Sequence, residues 1–179
     1  MSALPDEILL NILAHTDSRT IFTSVLCSSK QLHRCSLSHI TNVLLPQSHI
    51  STTFTLGRGS QHRWYDIRTT LNFHFSRHEE HNIALYHFSH VHPEHCIAPA
   101  LEKWRHARTH DREGKAVLWR AAVESESKPV LLASAVVVDA GVDAGHESLC
   151  ISLDWMELLK EYYVADRVDS WDHCGDGRA

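Results

Sequence analysis

The N-terminal segment constrains the fold of this chain most strongly, because it concentrates apolar side chains on one short helix. Six of the ten residues at 4–13 are Leu or Ile, and Pro5, Asp6 and Glu7 suit the first turn of a helix. At about 100° per residue, these apolar side chains cover an arc of about 200°, whereas a helix lying on a core needs little more than about 100°. The segment therefore predicts a helix that packs on two sides.

Two more short helices are predicted after the first. Asp17 or Ser18 can cap the second helix, whose apolar residues recur with a helical period. Ser28 or Ser29 can cap the third, which extends to Ile40. A unit of about forty residues buries too little apolar surface to be stable alone. The three helices are therefore expected to rest against a partner or another domain.

The rest of the chain is expected to form a second unit. Pro46 ends the helical run, and residues 46–61 are rich in Ser, Thr and Gly, which is typical of a linker. This linker separates an N-terminal unit at 1–45 from a mixed domain at 62–168, and no repeat of a solenoid or propeller period is present. The polar end at 169–179 is expected to fray. The predicted fold class is α+β, with a three-helix unit followed by a small mixed domain.

Hydrophobic patterns predict the secondary structure of the second unit. Residues 82–90 fit a strand or a helix equally well. The last two predicted strands are expected to form a hairpin with a long loop. The predicted strands are 70–75, 130–138 and 149–153, and the predicted helices are 98–113 and 155–164.

Composition argues against a membrane or secreted protein. The longest largely apolar run, 130–138, is far shorter than the roughly 20 residues of a transmembrane helix. Asp6 and Glu7 lie within the first apolar stretch and no Lys or Arg precedes it, which is unlike a secretory signal. The five cysteines are scattered and never spaced as C-x-x-C, which predicts reduced thiols. A cytoplasmic or nuclear location is expected.

Net charge argues against nucleic acid as a partner. The chain carries a formal charge of −5, and residues 121–179 hold twelve acidic and four basic side chains. No segment is basic enough to indicate phosphate binding. The acidic end is expected to be a solvated surface.

Six short motifs follow one another in order near the N-terminus. They are Leu4-Pro5-Asp6-Glu7-Ile8-Leu9, Ile12-Leu13, Asp17-Ser18-Arg19, Ile21-Phe22, Val25-Leu26-Cys27 and Ser29-Lys30-Gln31-Leu32-His33-Arg34. This ordered set resembles the F-box family, and the resemblance covers residues 4–40. Two positions depart from the family pattern: Thr16 stands where an apolar residue usually ends the first helix, and Leu32 stands near a common aromatic.

The resemblance implies a docking function. F-box proteins bind the small adaptor subunit of SCF-type cullin-RING ubiquitin ligases, and their other domain holds the substrate. The chain would thus be a non-catalytic, substrate-recruiting subunit whose partners are the adaptor, through it a cullin, and an unidentified protein substrate, with no cofactor. By position, the implied adaptor-facing residues are Leu4, Pro5, Ile8, Leu9, Ile12 and Leu13, and Ile21, Val25 and Leu26 complete the three-helix unit. Leu9 and Leu13 have the alternative of facing inward.

A run of histidines raises metal binding as a second hypothesis. The spacings match neither H-E-x-x-H nor its inverted form. The candidate ligands are His90, His92, His95 and Cys96, of which the first two would share one face of a strand. The competing interpretation is that these histidines are exposed polar residues, and no metal is predicted on that basis. The run consists of His74, His78, His81, His87, His90, His92 and His95, followed by Cys96.

Other functional classes find no support in the motifs. The sequence has no G-x-x-x-x-G-K-[ST] or G-x-G-x-x-G phosphate loop, and no catalytic residue is predicted. A protein-interaction domain without a ligase is the third hypothesis. The tryptophans are expected in the core, with Trp171 in the polar end the least explained by one.

Overall fold

A computed structural model of the chain combines helices with one antiparallel sheet, which is the predicted α+β class. It describes residues 4–58, 66–79, 82–110, 119–123, 129–132, 137–142 and 149–172. The helices are α1 (Asp6–Ala14), α2 (Ser18–Thr20), α3 (Lys30–His39), α4 (Leu45–Gln47), α5 (Ile97–His110) and α6 (Trp155–Asp172), with π-helical turns at Ile21–Val25 and Ile40–Leu44 and a 3-10 turn at Glu94–Cys96. The strands are β1 (His49–Arg58), β2 (Asp66–His78), β3 (Ile83–His92), β4 (Trp119–Ala122), β5 (Val130–Leu132), β6 (Val137–Val142) and β7 (Leu149–Asp154).

Side-chain caps start two of the N-terminal helices, as the sequence predicts. Asp17 Oδ1 accepts a hydrogen bond from the Thr20 N–H at 2.8 Å, and Ser29 Oγ accepts one from the Leu32 N–H at 3.2 Å. Each cap satisfies a backbone donor that has no partner inside its helix. The helical run then continues past α3 and ends at Gln47, one residue after the Pro46 that was expected to end it.

The sheet has the strand order β5-β4-β1-β2-β3-β7-β6, and every pairing is antiparallel. The linker predicted at 46–61 is therefore wrong over most of its length, because β1 lies inside the sheet between β2 and β4. Ser51, Thr53 and Thr55 alternate with Ile50, Thr52 and Phe54, which face the core. A strand with one polar face has the composition of a loop, and this misled the prediction.

One hydrophobic core joins the N-terminal helices to the sheet. Trp104 of α5 packs against Phe73 of β2, with ring centroids 6.1 Å apart, and against Trp119 of β4 at 5.6 Å. Two contacts illustrate how the N-terminal helices reach the same core. Phe22 lies 5.7 Å from the Tyr163 ring of α6, and the Ser48 and Tyr86 hydroxyls form a buried hydrogen bond of 2.7 Å.

The remaining strand predictions are largely confirmed. Residues 70–75 lie within β2, residues 83–90 of the ambiguous segment lie within β3, and 149–153 lie within β7. The single strand predicted at 130–138 begins as β5 and ends inside β6, and 133–136 lie outside the described residues. The predicted hairpin is confirmed only in part: β6, which contains the end of the predicted strand, pairs antiparallel with β7, whereas β5 pairs with β4 at the other end of the sheet.

Both predicted helices of this region form, with different ends. Helix α5 contains residues 98–110 of the predicted helix 98–113 and begins one residue earlier, at Ile97. Residues 111–113 lie outside the described part. α6 continues to Asp172, because no Gly or Pro interrupts it, so the first residues of the end predicted to fray are helical. Residues 173–179 lie outside the described part. No described helix is long and apolar enough to cross a bilayer.

The tryptophans that the structure describes with their side chains lie in the core, as predicted. Trp104, Trp119 and Trp155 are at most 4% exposed. Trp64 lies outside the described residues, and the side chain of Trp171 is also outside them.

Candidate functional site

Helix α1 has a buried face and an exposed face, both apolar. Leu9 and Leu13 are only 9% and 2% exposed and belong to the core. Ile8 and Ile12 are 48% and 53% exposed. Residues four apart on a helix lie on the same side, so each pair forms its own row. One row holds α1 on the protein, and the other faces solvent.

The exposed row extends to Leu4, which is 54% exposed just before the helix begins. We call Leu4, Ile8 and Ile12 the apolar ridge. Six large apolar side chains of the described residues are exposed, and three of them form this ridge. Single exposed apolar residues are common on soluble proteins, but contiguous ones mark interaction sites. The ridge is therefore the leading candidate for a docking surface.

Helix α3 fixes the start of the ridge. Gln31 Nε2 donates to the Leu4 carbonyl at 2.6 Å and to Asp6 Oδ1 at 2.8 Å. Arg34 Nη2 pairs with Asp6 Oδ2 at 2.5 Å. Hydrogen bonds from Gln31 and Arg34 hold the pKa of Asp6 below its ordinary value. These bonds connect the first and last of the six N-terminal motifs and hold the Leu4 backbone in place.

The structure divides the predicted adaptor-facing residues between surface and core. Pro5 is exposed beside the ridge and occupies the N-cap position of α1. Leu9 and Leu13 take the inward alternative, because a turn of about 100° per residue carries them away from Ile8 and Ile12. As they stand, they are not available to a partner. Ile21 and Leu26 are also buried in the core, and Val25 packs against it half-buried.

The two departures from the family pattern have structural roles. Thr16 Oγ1 donates to the Ile12 carbonyl at 2.9 Å, which satisfies one of the acceptors left free at the end of α1. Leu32 is partly buried against the core. Both side chains are uncharged, so neither places a charge beside the ridge.

The structure does not assemble the predicted metal ligands. His90 and His92 are exposed on one side of β3, and His95 is exposed in the following 3-10 turn. Cys96 is buried, only 3% exposed. Among the residues that the structure describes, no group of three or more His, Cys, Asp or Glu side chains is arranged to hold a metal ion.

A second surface, which the sequence analysis missed, lies on the side of the sheet opposite the core. It is formed by β1 residues His49, Ser51, Thr53 and Thr55, by their register partners on β2 and β4, and by the β3 residues that pair with those of β2. We call it the polar sheet face. His49 is paired with His74, which is paired with His87 on β3.

The histidines of the polar sheet face lie close together across strands. The His74 ring lies 6.4 Å from the His49 ring and 6.4 Å from the His90 ring, centroid to centroid. Burial, and to a lesser degree the neighbouring His74, lowers the pKa of His49. The alternation of His, Ser and Thr with apolar residues in β1 was the signal that could have revealed this face.

No protein-family model matches the sequence, and neither a curated protein nor a solved structure is significantly similar to it. The function must therefore be inferred from the two surfaces of this chain.

Proposed function

We propose that this chain is an F-box-type, non-catalytic subunit that recruits a protein substrate to an SCF-type cullin-RING ubiquitin ligase. The apolar ridge would bind the adaptor subunit, and the adaptor would connect the chain to a cullin. One observation carries the proposal. Ile8 and Ile12 are 48% and 53% exposed, on a helix whose other apolar row is already buried in the core.

The ridge has the size of an interface centre rather than of a whole interface. Full burial of a Leu or Ile side chain stabilises a complex by about 1.5–3 kcal/mol, so three half-exposed residues would contribute about half of that each. Association costs more than about 4 kcal/mol in lost freedom of motion. The surrounding exposed residues Pro5, Glu7 and Asn11 would have to supply the rim of the interface.

The pre-set position of Leu4 supports a docking role. Its carbonyl is held by Gln31 at 2.6 Å, so the ridge does not need to be ordered when a partner arrives. Ubiquitin transfer would be performed by other subunits, and the proposal therefore includes no catalytic residue and no cofactor. The complex would act in the cytoplasm, the nucleus or both.

Co-purification with the adaptor tests the proposal. We expect the wild-type chain and the adaptor to elute as a 1:1 complex in size-exclusion chromatography. Ile12→Asp places a charge on the ridge, at its most exposed position within α1, and should abolish the complex. Leu131→Asp is the matched control, because Leu131 is 54% exposed, like Ile12 at 53%, but lies on β5. It should leave the complex intact.

Three results would contradict the proposal. They are a wild-type chain that is folded by circular dichroism and yet does not bind the adaptor, an Ile12→Asp variant that binds as well as wild type, and a Leu131→Asp variant that loses binding equally. A folded chain that ignores the adaptor would point to an interaction domain with a different partner.

A further inference from the structure

The polar sheet face lies on five adjacent strands, in the order β5-β4-β1-β2-β3, that contain a single acidic residue, Asp66 at the start of β2. Strands β1, β3, β4 and β5, and β2 from residue 67 onward, lack Asp and Glu altogether. The whole chain has 22 acidic against 17 basic residues, so these five strands differ from the chain in charge, whereas β6 and β7 of the same sheet carry Asp139 and Asp154. A surface with a charge unlike the rest of the protein marks a place where a partner of opposite charge can be attracted.

Apart from Leu131 of β5, which is paired with Arg120, the exposed side chains of the face are hydrogen-bond donors. Arg120 on β4 is paired with Ser51, and Arg68 on β2 is paired with Thr55; both arginines are exposed. Exposed histidines on β2 and β3 add ring N–H groups, which even a neutral imidazole has. Arginine forms its strongest hydrogen bonds with anionic oxygens, in particular with carboxylates and phosphates.

The position of the aromatic residues decides between nucleic acid and protein. Sheets that bind single-stranded nucleic acid stack bases on aromatic side chains of the exposed face. Here Phe73 and Phe88 pack on the core side with Trp119, at centroid distances of 6.1 and 6.0 Å from Phe73. None of the described side chains on the polar sheet face is Phe, Tyr or Trp. Carboxylates of a polypeptide fit this face better than a polynucleotide.

The two arginines set the length of the partner segment. They lie one strand away from β1 on either side, and their register partners on it, Ser51 and Thr55, are four residues apart. With strands about 4.8 Å apart and a rise of about 3.4 Å per residue, the two arginine positions are separated by about 17 Å. An extended peptide spans that distance in about five residues.

We propose that the polar sheet face binds an extended acidic segment of a partner protein, with carboxylates about five residues apart held by Arg68 and Arg120. Between them, the Ser, Thr and Asn side chains of β1 and β2 would face the middle of the segment. This proposal goes beyond the docking of an adaptor and uses a different surface. It would name the kind of protein that the proposed ligase subunit recruits, but it does not require the ligase.

Fluorescence anisotropy with the full chain tests the proposal. The probe is a labelled peptide in which three serines separate two pairs of glutamates. We expect saturable binding that weakens with added salt, because exposed charges are screened. The same peptide with lysines in place of glutamates should not bind. A peptide with four contiguous glutamates has the same charge and should bind more weakly, because it cannot reach both arginines.

Charge reversal locates the binding site. Arg68→Glu and Arg120→Glu should each weaken binding of the spaced glutamate peptide roughly three- to tenfold, and the double variant should multiply the two effects. Lys30→Glu is the matched control, since it makes the same change of charge at an exposed position of α3 and should bind like wild type. Thermal unfolding of each variant checks that the fold is intact. Arg68→Gln and Arg120→Gln give the same comparison with a smaller perturbation.

The proposal is overturned if the wild-type chain does not bind the glutamate peptide, or if Lys30→Glu weakens binding as much as the arginine variants. Tighter binding of a twelve-nucleotide single-stranded DNA than of the peptide would also overturn it. Adaptor binding is measured separately, and the arginine variants should retain it if the proposed function holds. The two proposals can therefore fail independently.

Discussion

The apolar ridge and the polar sheet face are built in different ways. The ridge is local, because Ile8 and Ile12 share one side of a single helix and are four positions apart. The face is non-local, because His49, His74 and His87 become neighbours only when β1, β2 and β3 pair in register. A helical surface can thus be inferred from one segment of sequence, whereas a sheet surface depends on which strands pair and in what register.

The first prediction uses adjacent residues to separate the two faces of α1. Leu13 is 2% exposed and Ile12 is 53% exposed. Leu13→Ala should lower the free energy of unfolding by about 2–5 kcal/mol, because it leaves a cavity in the core. Ile12→Ala should change it by less than about 0.5 kcal/mol. Urea unfolding measures both. Equal losses would mean that the ridge is covered in solution, and the comparison between ridge and face would lose its basis.

The second prediction tests the link between the helices and the sheet. The Tyr86 hydroxyl is buried and lies 2.7 Å from the Ser48 hydroxyl, which also donates to the Leu45 carbonyl at 2.6 Å. Burial raises the pKa of Tyr86 far above its ordinary value, so the phenol stays neutral. Tyr86→Phe should cost about 1 kcal/mol in unfolding free energy, because one buried hydrogen bond is lost.

A matched aromatic substitution controls for the loss of a hydroxyl. Tyr162→Phe lies on α6 in the same core and is 7% exposed. If both variants lose the same stability, the Ser48–Tyr86 bond contributes nothing specific. If neither does, the helices and the sheet are held together by apolar packing alone.

The sequence places Ile8 and Ile12 on one side of α1, although it assigned the buried Leu9 and Leu13 to the same surface, and it predicts the polar sheet face poorly, for physical reasons. A fixed turn of about 100° per residue places Ile8 and Ile12 together without knowledge of the rest of the chain. In β1 the buried Thr52, 1% exposed, interrupts the apolar alternation and makes the strand resemble a linker. Even the histidine run did not reveal His49, because its partner His74 is far away in sequence. Strand pairing brings these residues together, and local patterns do not encode it.

The third prediction concerns pH and uses one histidine near each region. His39 lies in α3, the helix that holds the start of the ridge, and His49 begins β1 of the polar sheet face. Burial lowers the pKa of His39, and burial with the neighbouring His74 lowers the pKa of His49, from the ordinary 6.5. Well above pH 6.5 both rings are neutral in the folded and the unfolded chain. Below it, the unfolded chain takes up protons that the folded chain resists, so the free energy of unfolding falls with falling pH.

Urea unfolding between about pH 7.5 and 5.5 measures this loss. His39→Gln should make the dependence shallower, and His95→Gln, at an exposed position of the 3-10 turn, should leave it unchanged. The pKa values of Asp6 and Asp17 lie below their ordinary 3.8 in the folded chain, so these carboxylates stabilise the fold above pH 3.8. That stabilisation is lost only at more acidic pH, and the two residues therefore do not contribute to a change between about pH 7.5 and 5.5. A stability that is constant over this range would contradict the prediction.

The last prediction has the smallest effect on stability and tests whether the ridge must be pre-positioned. Gln31 is partly exposed, and its amide holds the Leu4 carbonyl at 2.6 Å. Gln31→Ala removes that bond and the bond to Asp6 Oδ1, yet the change in unfolding free energy should stay within about 0.5 kcal/mol, because both bonds lie close to solvent. Adaptor affinity should fall roughly two- to tenfold, since a loosened Leu4 must be ordered on binding. Gln47→Ala is the control, because Gln47 is an exposed glutamine at the end of α4, away from the ridge. If both variants bind the adaptor like wild type, the ridge acts through Ile8 and Ile12 alone, and the contact with α3 serves only the fold.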